Sequence, residues 1–402
     1  MFFSLSIQEG EMKNWNMDIA GVTFKNPIIV TAGTPTRKVH GLESSIRAGA
    51  GGVCTKSISF QPFSWPFPRP CNSFLDKWGD PGSIIGFELG FWQPEEGENF
   101  IKKIRPLAEK ENTRVIANIA VEEFETEKLK DLAKRLQDSG ADMIEIGCPC
   151  PILIPIEVSE AWYEKNLSRV IEILKEAVDV PVYPKLFVDA LSEKNMRRIE
   201  DAGADAVHLV PPPHGITVDV ESGKPFIPIY GLYYNRGWRG IGSYWTYIVS
   251  EMAKIPVISS GGVFGGRDAV ERVMLGASLV GICTAVIYYG YQRISKIIKE
   301  FDEFMERKGF RTIEDILGVA SPYVGDLQAF GRLVQQRQVP RETVTIEIDY
   351  AKCTKCGRCL VCNYGAMTME NKTPRIDLTL CERCGVCESL CPVDAIMIQR
   401  PV

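Results

Sequence analysis

The strongest constraint in this 402-residue sequence is the spacing of its C-terminal cysteines, since eight of the 13 cysteines lie between Cys353 and Cys391. They form two runs, CTKCGRCLVC and CERCGVCESLCP. The second run has the spacing C-x2-C-x2-C-x3-C-P, which is typical of bacterial ferredoxins that bind two 4Fe-4S clusters. The first run departs from it, because only two residues separate Cys359 from Cys362 and Asn363 stands where proline is usual. A local change in the backbone must accommodate this shorter spacing.

In such ferredoxins the first three cysteines of a run bind one cluster and the fourth binds the other. The predicted ligand sets are therefore Cys353, Cys356, Cys359 and Cys391 for one cluster, and Cys381, Cys384, Cys387 and Cys362 for the other. The alternative is a pair of zinc sites, because C-x2-C pairs also suit tetrahedral zinc. The sequence favours the clusters over zinc, because each of its two runs has three closely spaced cysteines followed by a fourth.

Composition and charge argue against several other classes of protein. The net charge of −5 leaves no basic excess that would favour nucleic acid or anionic membranes. No apolar stretch is long enough to span a membrane, and the N-terminal sequence has no recognisable export signal. The cysteines therefore indicate metal or redox chemistry in a reducing compartment rather than disulfides. We expect a cytoplasmic, oxygen-sensitive protein that is used under anaerobic conditions.

The cysteine runs also divide the chain. We expect a catalytic domain over residues 1–336, a linker over 337–345 and a small α+β domain like a bacterial ferredoxin over 346–402.

Residues 28–287 repeat one unit, in which a short β-branched apolar run is followed by a polar turn and an amphipathic helical pattern. This alternation is typical of parallel strands joined by helices. The related sequences AGAGG, SGADM, AGADA and LGASL predict helices that end at a glycine before the next strand. The candidate strands span residues 27–32, 51–56, 114–119, 143–147, 181–186, 206–210, 256–261 and 279–284. Eight such strands predict an α/β fold with a closed (β/α)8 TIM barrel, and the alternative is a doubly wound open sheet.

Chemistry in such barrels takes place at the C-terminal ends of the strands. Gly261 and Gly262 lie at the end of the seventh predicted strand, and the eighth ends at Cys283 and Thr284. Small residues there leave backbone N–H groups open to an anion, so we expect a phosphorylated ligand.

Two lysines, Lys56 and Lys185, end predicted strands at the same mouth. An unpaired lysine in a barrel mouth is costly. Each should therefore face an anion or a reduced flavin that carries negative charge near N1.

The sequence resembles, nearly end to end, the dihydroorotate dehydrogenase and dihydropyrimidine dehydrogenase family of FMN-dependent barrels. In particular it is similar to the dihydropyrimidine dehydrogenase subunit that carries a C-terminal two-cluster ferredoxin segment. The resemblance is carried by NPIIVTAG at 26–33, GGVCTKSI at 51–58, SGADMIEI at 139–146, Lys185, SGGV at 260–263, LGASLVGICTAVIYYG at 275–290 and the cysteine-rich tail.

The resemblance implies a bound FMN and two 4Fe-4S clusters. The residues that it implies for FMN binding are Ala32, Gly33, Lys56, Asn118, Lys185, Gly261, Gly262, Cys283 and Thr284. In this family a cysteine after strand four exchanges a proton with one carbon of a C–C bond, while N5 of FMN exchanges a hydride with the other. The matching residue is Cys150, which precedes Pro151, and Cys148 is the competing candidate.

The polar side chains with which the family recognises a pyrimidine ring are replaced. Gly147 and Ile152 stand where the family has amides or histidine, and Pro211 and Pro212 replace an asparagine-threonine pair after strand six. Unpaired ring amides cost about 1 to 3 kcal/mol each, so orotate and uracil are doubtful substrates.

Aromatic residues are frequent in the predicted mouth loops, and they indicate a larger, flatter or more apolar substrate. The alternative is that they form loop cores or a subunit interface. The residues concerned are Trp65, Phe67, Trp78, Phe87, Phe91, Trp92, Tyr230, Tyr233, Tyr234 and Trp238.

The leading hypothesis is an FMN- and iron-sulfur-dependent oxidoreductase that acts on a C=C or CH–CH bond, with Cys150 as proton donor or acceptor. No G-x-G-x-x-G follows a predicted strand, so the clusters should exchange electrons with a partner protein, such as a ferredoxin or an NAD(P)H-oxidising flavoprotein subunit. We expect a homo-oligomer or a hetero-complex. The alternative is an electron-transfer subunit whose flavin only relays electrons within a larger complex, and a third hypothesis is a flavin-free barrel with a structural tail.

Overall fold

The computed structural model describes residues 15–60, 72–74, 83–86, 91–121, 124–148, 156–187, 190–210, 214–227, 231–324 and 344–399. The chain divides into two compact units, Met1–Tyr323 and Val324–Val402. Most of the expected linker lies outside the described residues, so the linker at 337–345 and the domain bounds at 336 and 346 stay predictions.

The first unit contains a closed barrel of eight parallel strands, counted over the described residues. In chain order they are β1 (Ile28–Val30), β2 (Gly52–Cys54), β3 (Arg114–Ala120), β4 (Met143–Gly147), β5 (Val182–Phe187), β6 (Val207–Val210), β7 (Val257–Ser260) and β8 (Ala277–Ile282). Each strand pairs with the next along the chain, and β8 closes the barrel by pairing with β1. The predicted TIM barrel is confirmed, and the open-sheet alternative is wrong. The last strand begins two residues earlier than predicted, at Ala277.

Helices follow every strand of the barrel. They are α1 (Val39–Arg47), α2 (Pro94–Lys110), α3 (Thr126–Asp138), α4 (Ile156–Ala177), α5 (Glu193–Asp201), α6 (Arg239–Met252), α7 (Gly266–Met274), α8 (Thr284–Tyr289) and α9 (Gln292–Lys308). Short 3-10 helices span Thr34–Thr36, Arg236–Trp238 and Ser321–Tyr323. Among the described residues, no helix combines the length and the apolar character needed to cross a bilayer.

The repeated sequences before four of the strands end helices as predicted. Each helix ends two residues before a glycine with positive φ, at Gly49, Gly140, Gly203 and Gly276. A left-handed residue satisfies the last free carbonyls of a helix, and glycine adopts it without a steric penalty. The chain then enters β2, β4, β6 and β8. These strands are rich in β-branched and small apolar residues, because helices and the barrel interior bury both of their faces.

Three antiparallel elements accompany the barrel. A hairpin of Met17–Ile19 and Val22–Phe24 precedes β1, and a small hairpin of Val218–Asp219 and Lys224–Pro225 lies between β6 and α6. A four-stranded sheet runs in the order His214–Gly215, Gly231–Asn235, Ser83–Gly86 and Asn72–Phe74. This sheet joins the segment after β2 to the segment after β6, a pairing that the sequence did not indicate.

The second unit is a small α+β domain, as predicted. Thr345–Ile348 pairs with Ile396–Gln399, and Met367–Glu370 pairs with Thr373–Ile376. A 3-10 helix spans Arg358–Val361, and a short helix, α10, spans Val386–Ser389. A core of apolar residues and cysteines holds these elements together, among them Ile346, Met367, Cys381, Ile396 and Ile398.

Candidate active site and cysteine cavities

A polar layer lies inside the barrel, near the C-terminal ends of its strands. Glu145 on β4 is its centre and is fully buried. Its Oε1 accepts a hydrogen bond from Nδ2 of Asn118 on β3 at 2.6 Å, and its Oε2 lies 2.6 Å from Nδ1 of His208 on β6. On the far side of the imidazole, Nε2 of His208 lies 3.0 Å from the hydroxyl of Ser260 on β7. Four strands of the barrel therefore contribute to one buried hydrogen-bond network.

The charges of this network follow from its burial and its neighbours. Burial alone would raise the pKa of Glu145, but charge interactions with His208 and Lys185 and hydrogen bonds from His208 and Asn118 lower that pKa to about 2. Burial lowers the pKa of His208, against the opposing effect of Glu145. A neutral imidazole that donates from Nδ1 to an ionised Glu145 satisfies both residues, with Lys185 as the compensating positive charge.

The two predicted lysines lie on this side of the barrel. Lys56 follows β2 and is buried, whereas Lys185 lies within β5 and is half-buried. In the strand register Lys185 pairs with Gly147 on one side and with His208 on the other. Positive charge is therefore concentrated at the mouth next to the buried carboxylate.

The glycine-rich loops predicted to hold a phosphate lie at the same end. Gly261 and Gly262 follow β7 with φ values of 87° and 73°, a conformation that side chains rarely adopt. The loop after β1 contacts the loop after β8, because a Cβ on Gly33 would lie 2.6 Å from Sγ of Cys283. Ala32 and Thr284 adjoin this contact, and both are half-buried. The structure thus brings all nine of the residues predicted for FMN binding to one end of the barrel.

Of the two candidate thiols after β4, the structure describes only Cys148. Cys150, with Pro151 and Ile152, lies outside the described residues, as do Pro211 and Pro212. Cys148 is buried, and its Sγ lies 3.8 Å from the carbonyl oxygen of Ile146. Burial and the nearby Glu145 carboxylate raise the pKa of the Cys148 thiol well above its ordinary value. A thiol in this environment stays protonated and is poorly suited to acid-base exchange.

The aromatic residues of the mouth loops have more than one role. Trp92 is buried, donates from Nε1 to the carbonyl of Arg37 at 3.0 Å and packs edge-on against Phe100. Trp92 therefore belongs to the core, which agrees with the alternative that these aromatic residues form loop cores. Phe91, Tyr233, Tyr234 and Trp238 are half-buried. Trp65, Phe67, Trp78, Phe87 and Tyr230 lie outside the described residues.

Two cavities in the second unit are each lined by four cysteines. One is bounded by Cys362, Cys381, Cys384 and Cys387. The other is bounded by Cys353, Cys356, Cys359 and Cys391. These groups coincide with the two ligand sets that the crossover of bacterial ferredoxins predicts. Apolar side chains complete each wall, including Ile346 and Met367 in the first cavity and Val393 and Ile396 in the second.

The backbone accommodates the shortened first cysteine run by changing the type of helix. Cys387 and Cys391 are four positions apart, and Cys387 lies in α10, an α-helix with 3.6 residues per turn that ends two residues before Cys391. Cys359 and Cys362 are three positions apart, and the intervening segment is 3-10 helix, which has three residues per turn. Because the 3-10 turn is tighter, Cys362 comes back to the same side of the helix as Cys359 with one residue fewer than in the second run.

The spread of the cysteines bears on the zinc alternative. Among the described residues, no group of three or more His, Cys, Asp or Glu side chains converges closely enough to hold a single metal ion. A single tetrahedral ion draws its four ligands close together, whereas a cubane lies between thiolates that are farther apart, so this spread is compatible with clusters.

Sequence reasoning missed two residues of the buried network, Glu145 and His208. A signal was present, because each is an ionisable residue within an otherwise apolar strand, MIEIG or AVHLV. Such residues are seldom buried without a partner. The sequence could have identified both as buried and paired, but it could not have identified them as partners of each other.

Comparisons with known proteins agree with this geometry. The sequence model of the dihydroorotate dehydrogenase family matches residues 15–305, and that of the 4Fe-4S binding domain matches residues 374–397. The second match covers the second cysteine run.

Curated relatives cover most of the chain. The catalytic subunit of dihydroorotate dehydrogenase B (NAD(+)) from Caldicellulosiruptor saccharolyticus is 30% identical over 313 residues, which are 76% of this chain and 98% of the relative. The same subunit from Methanocaldococcus jannaschii is 27% identical over 309 residues, 75% of this chain and 97% of the relative.

A solved structure shares the fold. It is the dihydroorotate dehydrogenase (DHODH) of Eimeria tenella in complex with ferulenol, with a TM-score of 0.63 and 19% identity over 76% of this chain and 88% of that chain. With the match of the family model over most of the barrel, the comparisons show that this chain belongs to the dihydroorotate dehydrogenase family of CH–CH oxidoreductases.

Proposed function

We propose that the protein is an FMN- and iron-sulfur-dependent oxidoreductase that acts on a C=C or CH–CH bond and exchanges electrons with a partner through two 4Fe-4S clusters. The observation that carries this proposal is the pair of four-cysteine cavities attached to a barrel of the dihydroorotate dehydrogenase family. A flavin exchanges electrons singly or in pairs, so it can link hydride transfer to one-electron centres.

The barrel mouth fits FMN in three respects. Asn118 has a buried Oδ1 with no hydrogen-bond partner among the described residues, and a flavin ring supplies N–H donors. Lys56 and Lys185 provide positive charge suited to a reduced flavin. The loops at Gly261–Gly262 and at Cys283–Thr284 provide open backbone for the phosphate.

A bound flavin supplies hydride acceptance or donation at N5. The protein must then handle the proton on the other carbon, and we assign this step to the thiol of Cys150. The assignment rests on the family register and on the burial of the competing thiol, since Cys148 is held in the core with a raised pKa. Cys150 donates the proton in one direction of the reaction and accepts it in the other.

Gly147 supports a substrate other than a pyrimidine. A Cβ at this position would lie 2.8 Å from Oδ1 of Asn118, so the amide that the family places there would have to displace the Asn118 side chain. Together with Ile152, Pro211 and Pro212, this leaves ring amides without partners. We propose a larger or more apolar substrate with a C=C or CH–CH bond next to a group that stabilises negative charge.

The ligand sets of the clusters are proposed from the cavities. Cys353, Cys356, Cys359 and Cys391 would hold one cluster, and Cys381, Cys384, Cys387 and Cys362 the other. Backbone N–H groups also approach the sulfurs, from Lys355 to Cys353 at 3.4 Å and from Ala395 to Cys391 at 3.2 Å. Such bonds raise the reduction potential of a cluster, because they stabilise its added negative charge.

The electron partner is proposed to be another polypeptide. The relatives are named as catalytic subunits of an enzyme that uses NAD(+), and this sequence has no dinucleotide fingerprint after a strand. A flavoprotein subunit that oxidises NAD(P)H or a ferredoxin would suit the clusters, in a cytoplasmic hetero-complex or homo-oligomer.

The test is anaerobic purification followed by quantification of FMN and iron. We expect about one FMN and about eight iron atoms per chain. Photoreduction of the flavin should then produce the electron paramagnetic resonance signal of reduced clusters. Absence of FMN from fully metallated protein, or a reduced flavin that never passes electrons to iron, contradicts the proposal. A screen of enoyl, aromatic and pyrimidine compounds separates the enzyme from a subunit that only relays electrons.

A further inference from the structure

Arg272 on α7 is fully buried, and its guanidinium group lies against the glycine loop that follows β7. Nη1 donates to the hydroxyl oxygens of Thr246 at 3.1 Å and Ser259 at 3.0 Å. Nη2 donates to two backbone carbonyls, those of Arg239 at 3.1 Å and Gly261 at 2.6 Å. One side chain therefore connects the end of β7, the glycine loop and the start of α6.

The guanidinium group and the glycine loop are closely packed against the start of α6. A Cβ on Gly242 of α6 would lie 2.1 Å from Nη2 of Arg272. A Cβ on Gly262 would lie 2.4 Å from the backbone nitrogen of Arg239. The loop, the first turn of α6 and the guanidinium thus form one close-packed junction, whose geometry depends on all three.

The charge of Arg272 is not neutralised by a direct ion pair. All four of its acceptors are uncharged, and no carboxylate lies within ion-pair distance of it among the described residues. Two carboxylates whose charges act on Arg272 have hydrogen-bond partners of their own, since Asp268 accepts from the backbone of Phe264 and Gly265 and Glu271 accepts from the Ser243 hydroxyl. Nε also has no partner among the described residues. Burial lowers the pKa of Arg272 to about 10, and the charges of Glu271 and Asp268 oppose this lowering only in part. A further anion close to this buried cation would therefore be favourable.

The bond to Gly261 also orients the loop. In a trans peptide the C=O and the following N–H point in opposite directions. Because the carbonyl of Gly261 points at Arg272, the N–H of Gly262 is directed to the other side of the loop. An anion on that side would meet an oriented N–H donor, with a buried positive charge behind it.

We propose that Arg272 is a positioning residue that makes the flavin site selective for a phosphorylated flavin, by fixing the Gly261–Gly262 peptide and by supplying charge beneath it. The inference rests on the proposed function, since it takes the anion to be the phosphate of FMN. Arg272 acts through the loop and need not touch the flavin.

The test compares two ligands that differ only in the phosphate. Deflavinated full-length protein is titrated with FMN and with riboflavin, and the affinity ratio is measured by flavin fluorescence. In Arg272→Met we expect the preference for FMN to fall by about tenfold or more, with riboflavin affinity nearly unchanged. Arg272→Lys, which keeps the charge but cannot form all four bonds, should give a smaller fall.

Arg105→Met is the matched control. Arg105 also binds a backbone carbonyl, that of Gly140 at 2.9 Å, together with Asp142. Arg105 is on α2, and its guanidinium group lies at the N-terminal end of β4, away from the mouth, so its loss should leave the ratio unchanged.

Riboflavin binding serves as the check that a variant is folded. If Arg272→Met does not fold, the lysine variant decides, because a wild-type ratio in that variant overturns the inference. A wild-type protein that prefers FMN, with folded Arg272 variants that keep the full preference, also overturns it while leaving the proposed function intact. A wild-type protein that binds neither flavin contradicts both.

Discussion

Nδ1 of His208 on β6 lies 2.6 Å from Oε2 of Glu145 on β4, although the two residues are 63 positions apart in the sequence. Neither side chain is exposed. The pair extends to Asn118 on β3 and Ser260 on β7, so it connects strands across the barrel interior just below the predicted flavin site. A polar network of this kind is stable only while each of its groups has a partner.

The first prediction concerns the pH dependence of stability. Burial lowers the pKa of His208 in the folded protein, so below about pH 6.5 the unfolded chain binds this proton more readily than the native one. The stability that neutral His208 contributes is therefore present above that pH and is lost as the pH falls. Replacing His208 with Asn should flatten the decline between about pH 6.5 and 5.5, by up to about 1.4 kcal/mol per pH unit.

The measurement is urea unfolding at several pH values, followed by the fluorescence of released flavin. In the wild type Glu145 does not contribute in this range, because its pKa of about 2 places its own loss of stability below about pH 4.5. Exposed His40 is the control, and His40→Asn should keep the wild-type slope. Parallel slopes in His208→Asn and wild type would show that His208 does not titrate in this way.

The second prediction concerns Gly147, which replaces an amide of the family. Gly147→Asn should not create turnover of orotate or uracil, because its Cβ would come within 2.8 Å of Oδ1 of Asn118 and displace that side chain. We expect the purified variant to retain less FMN than wild type, measured as flavin per chain. Gly240→Ala is the control, since a Cβ there meets nothing within 4 Å. Full flavin content together with new pyrimidine turnover would refute this account of the site.

The third prediction tests how the cysteines are shared between clusters. Two substitutions within one ligand set should abolish one cluster, so Cys353→Ser with Cys391→Ser should leave about four iron atoms per chain. Two substitutions in different sets should disturb both clusters, so Cys384→Ser with Cys391→Ser should leave far less. If each run instead bound its own cluster, the two outcomes would be exchanged. Iron analysis and electron paramagnetic resonance of the anaerobic variants distinguish the two cases.

The fourth prediction separates the two candidate thiols. Cys150→Ala should lower substrate turnover by about 10²- to 10⁴-fold, because general acid-base catalysis contributes rate factors of this size. Reduction of the flavin by an artificial donor should survive, since it requires no proton transfer to substrate. Cys148→Ala should change turnover little, because this thiol is buried and held protonated. A larger loss in the Cys148 variant would reverse the assignment, and unchanged turnover in both would favour a flavin that only relays electrons.

Much of the fold was predictable because its signals are local. The apolar runs located all eight barrel strands, and the largest offset in the first residue of a strand is at β8, which begins at Ala277. The glycines at the helix ends were predicted from four short, similar sequences, and their positive φ angles follow from the left-handed turn that ends each helix. The antiparallel sheet of Ser83–Gly86 with Gly231–Asn235 was not predicted, because its strands pair across a large separation in the chain and neither has a strong period of its own.

The sequence by itself determined the elements, the cysteine spacing and the end of the barrel at which small and basic residues gather, because each depends on neighbours within a few positions. Only the tertiary structure decided that Glu145 meets His208 and that Arg272 reaches the carbonyl of Gly261. The physical reason is that such contacts depend on barrel closure, strand register and helix packing. These bring distant residues together without any periodic pattern in the sequence.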